Sequence, residues 1–329
     1  MPFRIVENDI TKVKADAVVR ITDPQRAEGD GPGNAGFEAA DRVSIAPASG
    51  MAARYMIECS VARRQDGEHD EADILRQCYN MSLETADDHN CQSIAFPFTG
   101  AEDHGSQKDA ALQAALDSFA DFLREHDMDI ILAVPDGRSG SISGKLYDSV
   151  ESFVGSRLSE IKRNLMYSPN GAEMRSEDPF EYDPGFIGQA EHSMSKTAAE
   201  APKKKATSKS LEQALRGIYT DSFGKHLQQL INKKGLKNSE VYTAANISRQ
   251  YFSKILKGRA KPSKGKVLAL AVGLRLNMDE TVDLLRLAGY AFSPISQTDT
   301  IVAYFIENGI YNVMKIDLVL FDYGLEPLS

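Results

Sequence analysis

The chain has 329 residues, 42% of them hydrophobic, which is the make-up of folded domains rather than of a disordered segment and is long enough for two ordinary cores. Its formal charge of −9 is unevenly spread: residues 1–170 carry 17 basic against 29 acidic side chains, and residues 211–329 carry 15 against 11. Between Lys225 and Arg275 twelve cations meet a single acid, Glu240, so the acidic half and the basic segment call for different partners.

The opening Met-Pro-Phe-Arg-Ile holds neither a basic nor an apolar leader, and no apolar run approaches the roughly 18 residues of a membrane helix. A cytoplasmic location and no membrane partner are expected. Cys59, Cys78 and Cys91 have no Cys-x-x-Cys spacing, so they read as buried small hydrophobes; no metal and no cofactor is implied.

In chain order, the first elements are two short strands around the acidic turn Glu7-Asn8-Asp9-Ile10-Thr11, the second being Ala15-Asp16-Ala17-Val18-Val19. Met51–Glu58 reads as a further strand. Asp73–Ala86 places Ile74, Cys78, Met81 and Ala86 near helical spacing, and Lys108–Leu123 puts Leu112, Leu116, Phe119 and Leu123 on one helix face. Ser93–Pro97 and Asp129–Pro135 are unbroken apolar runs, typical of strands covered on both sides. Strands alternating with helices predict a three-layer α/β domain with a mixed, largely parallel sheet over residues 1–165.

Periodicity then stops. Residues 166–210, rich in Pro, Gly, Glu, Ser and Ala and ending in Ala-Pro-Lys-Lys-Lys, read as a flexible linker. Residues 211–329 read as all-helical: Phe223–Lys233, Ser239–Ala245, Ser248–Lys257, Lys264–Leu274, Asp279–Ala288, Thr298–Glu307 and Val313–Asp322. Ser239 and Ser248 are of N-cap type, and Asn277-Met278-Asp279-Glu280 is a polar, acidic helix entrance.

The N-terminal motifs resemble those of macrodomains, which bind ADP-ribose. Five segments occur in family order: the opening strand with Asp9-Ile10, the Ala15–Val19 strand, Ser44-Ile-Ala-Pro-Ala-Ser-Gly-Met-Ala-Ala-Arg-Tyr-Met-Ile-Glu, the Cys78-Tyr79 helix, and Ser93-Ile-Ala-Phe-Pro. The resemblance implies that Asp9 and Ile10 stand where the family meets the adenine. It also implies phosphate-facing loops at 20–36 and 98–106, with ligand contacts from Asp23, Gly31, Gly33, Asn34, Gly100, Ala101, His104, Gly105 and Asp136. Loop amides at the carboxyl ends of parallel strands suit that task.

Both loops depart from the family pattern. The Asn-x-Ala-Asn positions read Arg20-Ile21-Thr22-Asp23, and Ser-Thr-Gly-Val-Tyr-Gly reads Gly100-Ala101-Glu102-Asp103-His104-Gly105. Two carboxylates about 4–6 Å from a diphosphate would each cost on the order of 1 kcal/mol. With the hydrolytic loop signature absent, the sequence points to binding rather than turnover. Asp23 and His104 are the candidate catalytic groups for the alternative, an ADP-ribosyl hydrolase or O-acetyl-ADP-ribose deacetylase. A third reading is an interaction protein with a vestigial pocket.

Ser239–Gly258 resembles the helix-turn-helix of lambda-repressor-like (XRE-type) domains, with a tight turn at Asn246-Ile247. The second helix would bury Tyr251 or Phe252, Ile255 and Leu256. It would present Ser248, Arg249, Gln250, Lys254 and Lys257 outward, with Arg259 and Lys261 following, for phosphates and base edges. The expected function is regulatory: recognition of ADP-ribose, a related nucleotide or an ADP-ribosylated macromolecule, joined to DNA binding. A protein-interaction role for the helical domain is the alternative.

Overall fold

The computed structural model describes residues 2–22, 42–60, 71–98, 106–135, 141–166 and 223–329. The linker 166–210 lies almost wholly outside them.

Six strands form one sheet: β1 (Phe3–Glu7), β2 (Ala17–Thr22), β3 (Arg42–Pro47), β4 (Tyr55–Ser60), β5 (Ser93–Pro97) and β6 (Asp129–Val134), in the order β1-β6-β5-β2-β4-β3. The five strands from β1 to β4 run parallel and β3 pairs antiparallel on the edge. The period-two alternation divides the side chains. Phe3, Ala17, Val19, Ile57, Ile94, Phe96, Ile130 and Leu132 enter one core, with helices α1 (Glu71–Asp88) and α2 (Ser106–Glu125). Val18, Ala95, Ile131 and Ala133 enter the other, beneath Ile10, Val13, Met51 and Ala53. Burial of β5 and β6 on both faces explains why they were legible as plain apolar runs. The strand expected at Met51–Glu58 starts later, at Tyr55, because residues 48–53 form the turn between β3 and β4 and cross the sheet face: the Ala48 N–H closes the turn on the Arg54 carbonyl, and the Ala52 N–H reaches the Thr11 carbonyl.

Helix α3 (Lys145–Met166) follows the sheet. The C-terminal residues fold as helix 223–233 (α4), α5 (Asn238–Ala244), α6 (Arg249–Leu256), α7 (Lys264–Gly273), α8 (Met278–Leu287), α9 (Gln297–Glu307) and α10 (Val313–Asp322). Ser248 caps α6, its Oγ accepting from the Tyr251 N–H, and Asn277 caps α8, where Glu280 reaches back to the Asn277 N–H. Ser239 is not a cap. Helix α5 begins one residue earlier, because the Glu240 carboxylate takes the Lys237 backbone N–H at 2.6 Å and so sets the first turn. Gly224 brings α4 against the end of α6; a Cβ there would collide with the Leu256 carbonyl.

The two halves share helix α10. Its Met314 and Leu318 belong to the sheet core, while Val313, Ile316, Val319 and Leu320 belong to the helical core. Val150 and Val154 of α3 also enter the helical core. Among the described residues, no helix is long and apolar enough to cross a membrane.

Candidate ligand edge and nucleic-acid interface

The carboxyl ends of β1, β6, β5, β2 and β4 line one edge of the sheet, where an open α/β fold receives a ligand. Asp9 stands there, one residue beyond Asn8, whose N–H ties the end of β1 to the Val134 carbonyl at 2.9 Å. It caps a short 3-10 turn, Ile10–Lys12: Oδ1 accepts the Thr11 N–H at 2.8 Å and the Thr11 hydroxyl at 2.7 Å. These bonds, the hydroxyl first, hold the carboxyl below the usual carboxylate range. Asp9 is therefore ionised and exposed, and among the described residues its Oδ2 receives no donor. A ligand amine would find an oriented acceptor. Ile10 is half-buried beside it, against Val6 and Val13.

Of the two positions nearest the first loop, Arg20 is spent on the surface: its Nη1 lies 3.1 Å from Glu58 Oε1, the residue directly opposite on β4. Asp23, Gly31, Gly33, Asn34, Gly100, Ala101, His104, Gly105 and Asp136 all lie outside the described residues. So do Glu102 and Asp103. Asp16 has a structural task, its Oδ2 taking the N–H groups of Gln92 (2.8 Å) and Ser93 (3.0 Å) and so joining the starts of β2 and β5. Cys59, Cys78 and Cys91 are buried and not in disulfides, and among the described residues no three His, Cys, Asp or Glu groups converge as metal ligands.

In the helical domain the expected orientation of α6 holds. Phe252 and Ile255 are buried, Tyr251 and Leu256 pack partly against the core, and Ser248, Arg249, Gln250, Lys254 and Lys257 are exposed. Arg259 and Lys261 are exposed beyond the helix, the Lys261 ammonium lying 5.3 Å from the Tyr290 ring centre.

Of the twelve cations, seven fall into two contrasting groups. Lys234 is bound to Glu280 at 3.0 Å, Lys264 to buried Asp299 at 2.5 Å, and Lys266 is half-buried with its ammonium pushed down by desolvation. In contrast, Arg249, Lys254, Lys257 and Arg259 have no ion-pair partner among the described residues and cluster on and just after α6. A phosphate backbone could take these charges without breaking an internal pair.

Three polar groups were missed from the sequence, two of them, Asn246 and Asp322, because their partners are far along the chain. Asn246, in the turn before α6, binds the backbone of Phe3. Asp322, at the end of α10, accepts the N–H groups of Ile142 and Ser143, both at 2.8 Å, and the Ser143 hydroxyl at 2.6 Å. Asp317 is buried, accepting the Leu328 N–H at 2.7 Å and the Ser329 hydroxyl, and burial pushes its carboxyl up to about 6.

The Macro domain family profile matches residues 33–115, and a Helix-turn-helix domain profile matches residues 222–285. A Macro domain-containing protein of Methanosarcina mazei is 28% identical over 142 residues, 38% of this chain and 76% of that protein. O-acetyl-ADP-ribose deacetylase 1 of Pantoea vagans is 27% identical over 133 residues, 34% of this chain and 78% of its own length. Among solved structures, the Oceanobacillus iheyensis macrodomain with ADP aligns with a TM-score of 0.32 at 23% identity, over 40% of this chain and 82% of its own.

Proposed function

We propose, from a chain that carries a Macro domain toward its N-terminus and an XRE-like helix-turn-helix domain toward its C-terminus, a regulatory protein that recognises an ADP-ribose-type nucleotide, free or on a macromolecule, and binds duplex DNA. The observation that carries this reading is the pairing of two oriented surfaces in one chain. Ionised Asp9 faces the carboxyl edge of the sheet, and a cluster of cations with no ion-pair partner among the described residues lies on and after α6.

Ribose and phosphate contacts fall to Asp23, Gly31, Gly33, Asn34, Gly100, Ala101, His104, Gly105 and Asp136. Ser248, Arg249 and Gln250 are placed for base edges, and Lys254, Lys257, Arg259 and Lys261 for phosphates. Calorimetry with ADP-ribose tests the first half: binding is expected, lost in Asp9→Ala, and no heat at millimolar ligand would remove it. Electrophoretic shifts with random duplex at low salt test the second half, where absence of any complex would leave the helical domain as a protein-binding module.

The likeness to the Pantoea vagans deacetylase favours one second reading, turnover of O-acetyl-ADP-ribose. Acetate release that disappears in both Asp23→Ala and His104→Ala would establish it over binding alone.

A further inference from the structure

We propose that Asn246 is a positioning residue that locks the helix-turn-helix turn onto the open edge of the Macro domain sheet, so that strand β1 sets the placement of the recognition helix α6. For ligand identity the inference rests on the reading above; the docking itself stands on geometry alone.

Asn246 is 1% exposed and adopts φ +51°, the left-handed region that a tight turn between two helices needs. Glycine meets that need at no steric cost, and asparagine is among the few other residues that tolerate it. What asparagine adds is its amide, and every polar atom of that amide is used. Oδ1 accepts the Phe3 N–H at 2.9 Å, and Nδ2 donates to the Phe3 carbonyl at 2.9 Å and to the Ser329 hydroxyl at 2.6 Å. The side chain thus pairs with Phe3 as a residue of a neighbouring strand would.

Phe3 lies on β1, the outer strand of the sheet, whose second edge has no strand partner among the described residues. An open edge is a pairing liability, and here it is closed at Phe3 by one side chain and covered beyond it by α10. Helix α5 rests on α2 beside the same contact. Ser248, the cap of α6, follows Asn246 by two positions, so the start of the recognition helix is held at this edge.

At its other end β1 leads through Asn8 to Asp9. The six residue steps from Phe3 to Asp9 span about 20 Å in extended form, and one strand therefore connects the ligand edge to the turn before α6. Coupling of the two sites needs an element with two arrangements that both sites bias; the docked and released states of the Asn246 contact supply it.

Asn246→Gly separates turn from lock: it keeps the backbone conformation and leaves Phe3 and Ser329 without the amide. In the full chain without ligand, amide exchange at Phe3 should accelerate at least about tenfold, as loss of one tertiary hydrogen bond would produce. Thermal unfolding should remain one transition, because α10 still joins the two cores, and should move to lower temperature. Asn246→Asp keeps the acceptor for the Phe3 N–H but sets a buried carboxylate oxygen against the Phe3 carbonyl, so it should lose stability relative to the parent as pH rises and the carboxyl ionises, and it serves if the glycine variant does not fold. A Phe3 amide still protected in a folded variant with a single, unshifted transition would overturn the lock.

With ADP-ribose, the parent's DNA affinity should change about fivefold or more, the low end of usual coupling, and the glycine variant's should not. The amides of Asp9–Lys12 report binding independently. If ADP-ribose protects them and leaves the parent's DNA affinity unchanged, the coupling is overturned. If it leaves them unprotected, the ligand reading fails, and the ligand-free comparison still decides the lock.

Discussion

Asp317 offers a test of the shared core that needs neither ligand nor DNA. The group is buried between α10 and the final residues, and desolvation outweighs the hydroxyl of Ser329, the Leu328 N–H and the attraction of Lys266, so its pKa rises from 3.8 to about 6. The folded state therefore holds this proton more tightly than the unfolded chain does. Its contribution is fully present below about pH 4 and is lost as pH rises through about 6. A difference of about two units at 1.36 kcal/mol each corresponds to a loss on the order of 3 kcal/mol by pH 7.5. At about 2–4 °C per kcal/mol for a domain of 150–250 residues, that is roughly 6–12 °C in melting temperature. Asp317→Asn removes the charge that must be buried and should lack this loss. The assay is thermal unfolding of both proteins from pH 4.5 to pH 7.5, read as the difference between them so that every other titrating group cancels. The difference should grow in favour of the variant as pH rises. Parallel curves would refute the buried, charge-strained carboxylate.

The other expectations concern the two surfaces and the helix between them. With Lys254, Lys257, Arg259 and Lys261 meeting phosphates, log K for random duplex should fall against log salt with a slope of roughly −4, and Lys254→Glu with Lys257→Glu should weaken binding to every sequence and flatten that slope, as a filter-binding salt series would show. Arg249→Ala and Gln250→Ala should cost about 1–3 kcal/mol at a selected site and little at random duplex, measured by competition. Leu318→Ala, at a fully buried position on the sheet side of α10, should cost about 2–5 kcal/mol and lower the stability of both domains together; chemical unfolding in which only the sheet domain weakens would show that α10 does not link them.

The readable parts of the fold were those whose cause is local. Strands β5 and β6 announced themselves as unbroken apolar runs because both faces are covered, and α8 because Asn277 and Glu280 form reciprocal bonds within four residues. Ser239 misled because a nearby Glu240 sets the helix start through a backbone N–H, and a sequence holding both cannot say which acts first. Asp9 is a candidate by its place in a motif and not by any period, since a lone exposed carboxylate in a turn has none.

Docking between domains leaves no period at all. Asn246 reads as part of a tight turn, and nothing near it says that the residue is left-handed or that its amide pairs with a residue 243 positions away. One signal was nonetheless present. Helix α10 carries Val313, Met314, Ile316, Leu318, Val319, Leu320 and Phe321 around nearly its whole circumference. A helix apolar on all sides cannot be the outer layer of a small bundle; it has to be covered on every side, and in this chain the remaining apolar surface available to cover it is the sheet domain's. The same argument makes the tethered-domain picture too loose: the helical domain keeps part of its core inside the other domain, so a release of the Asn246 contact would be opposed by Met314 and Leu318, and any coupling through β1 must work against that restraint rather than by free separation of the two halves.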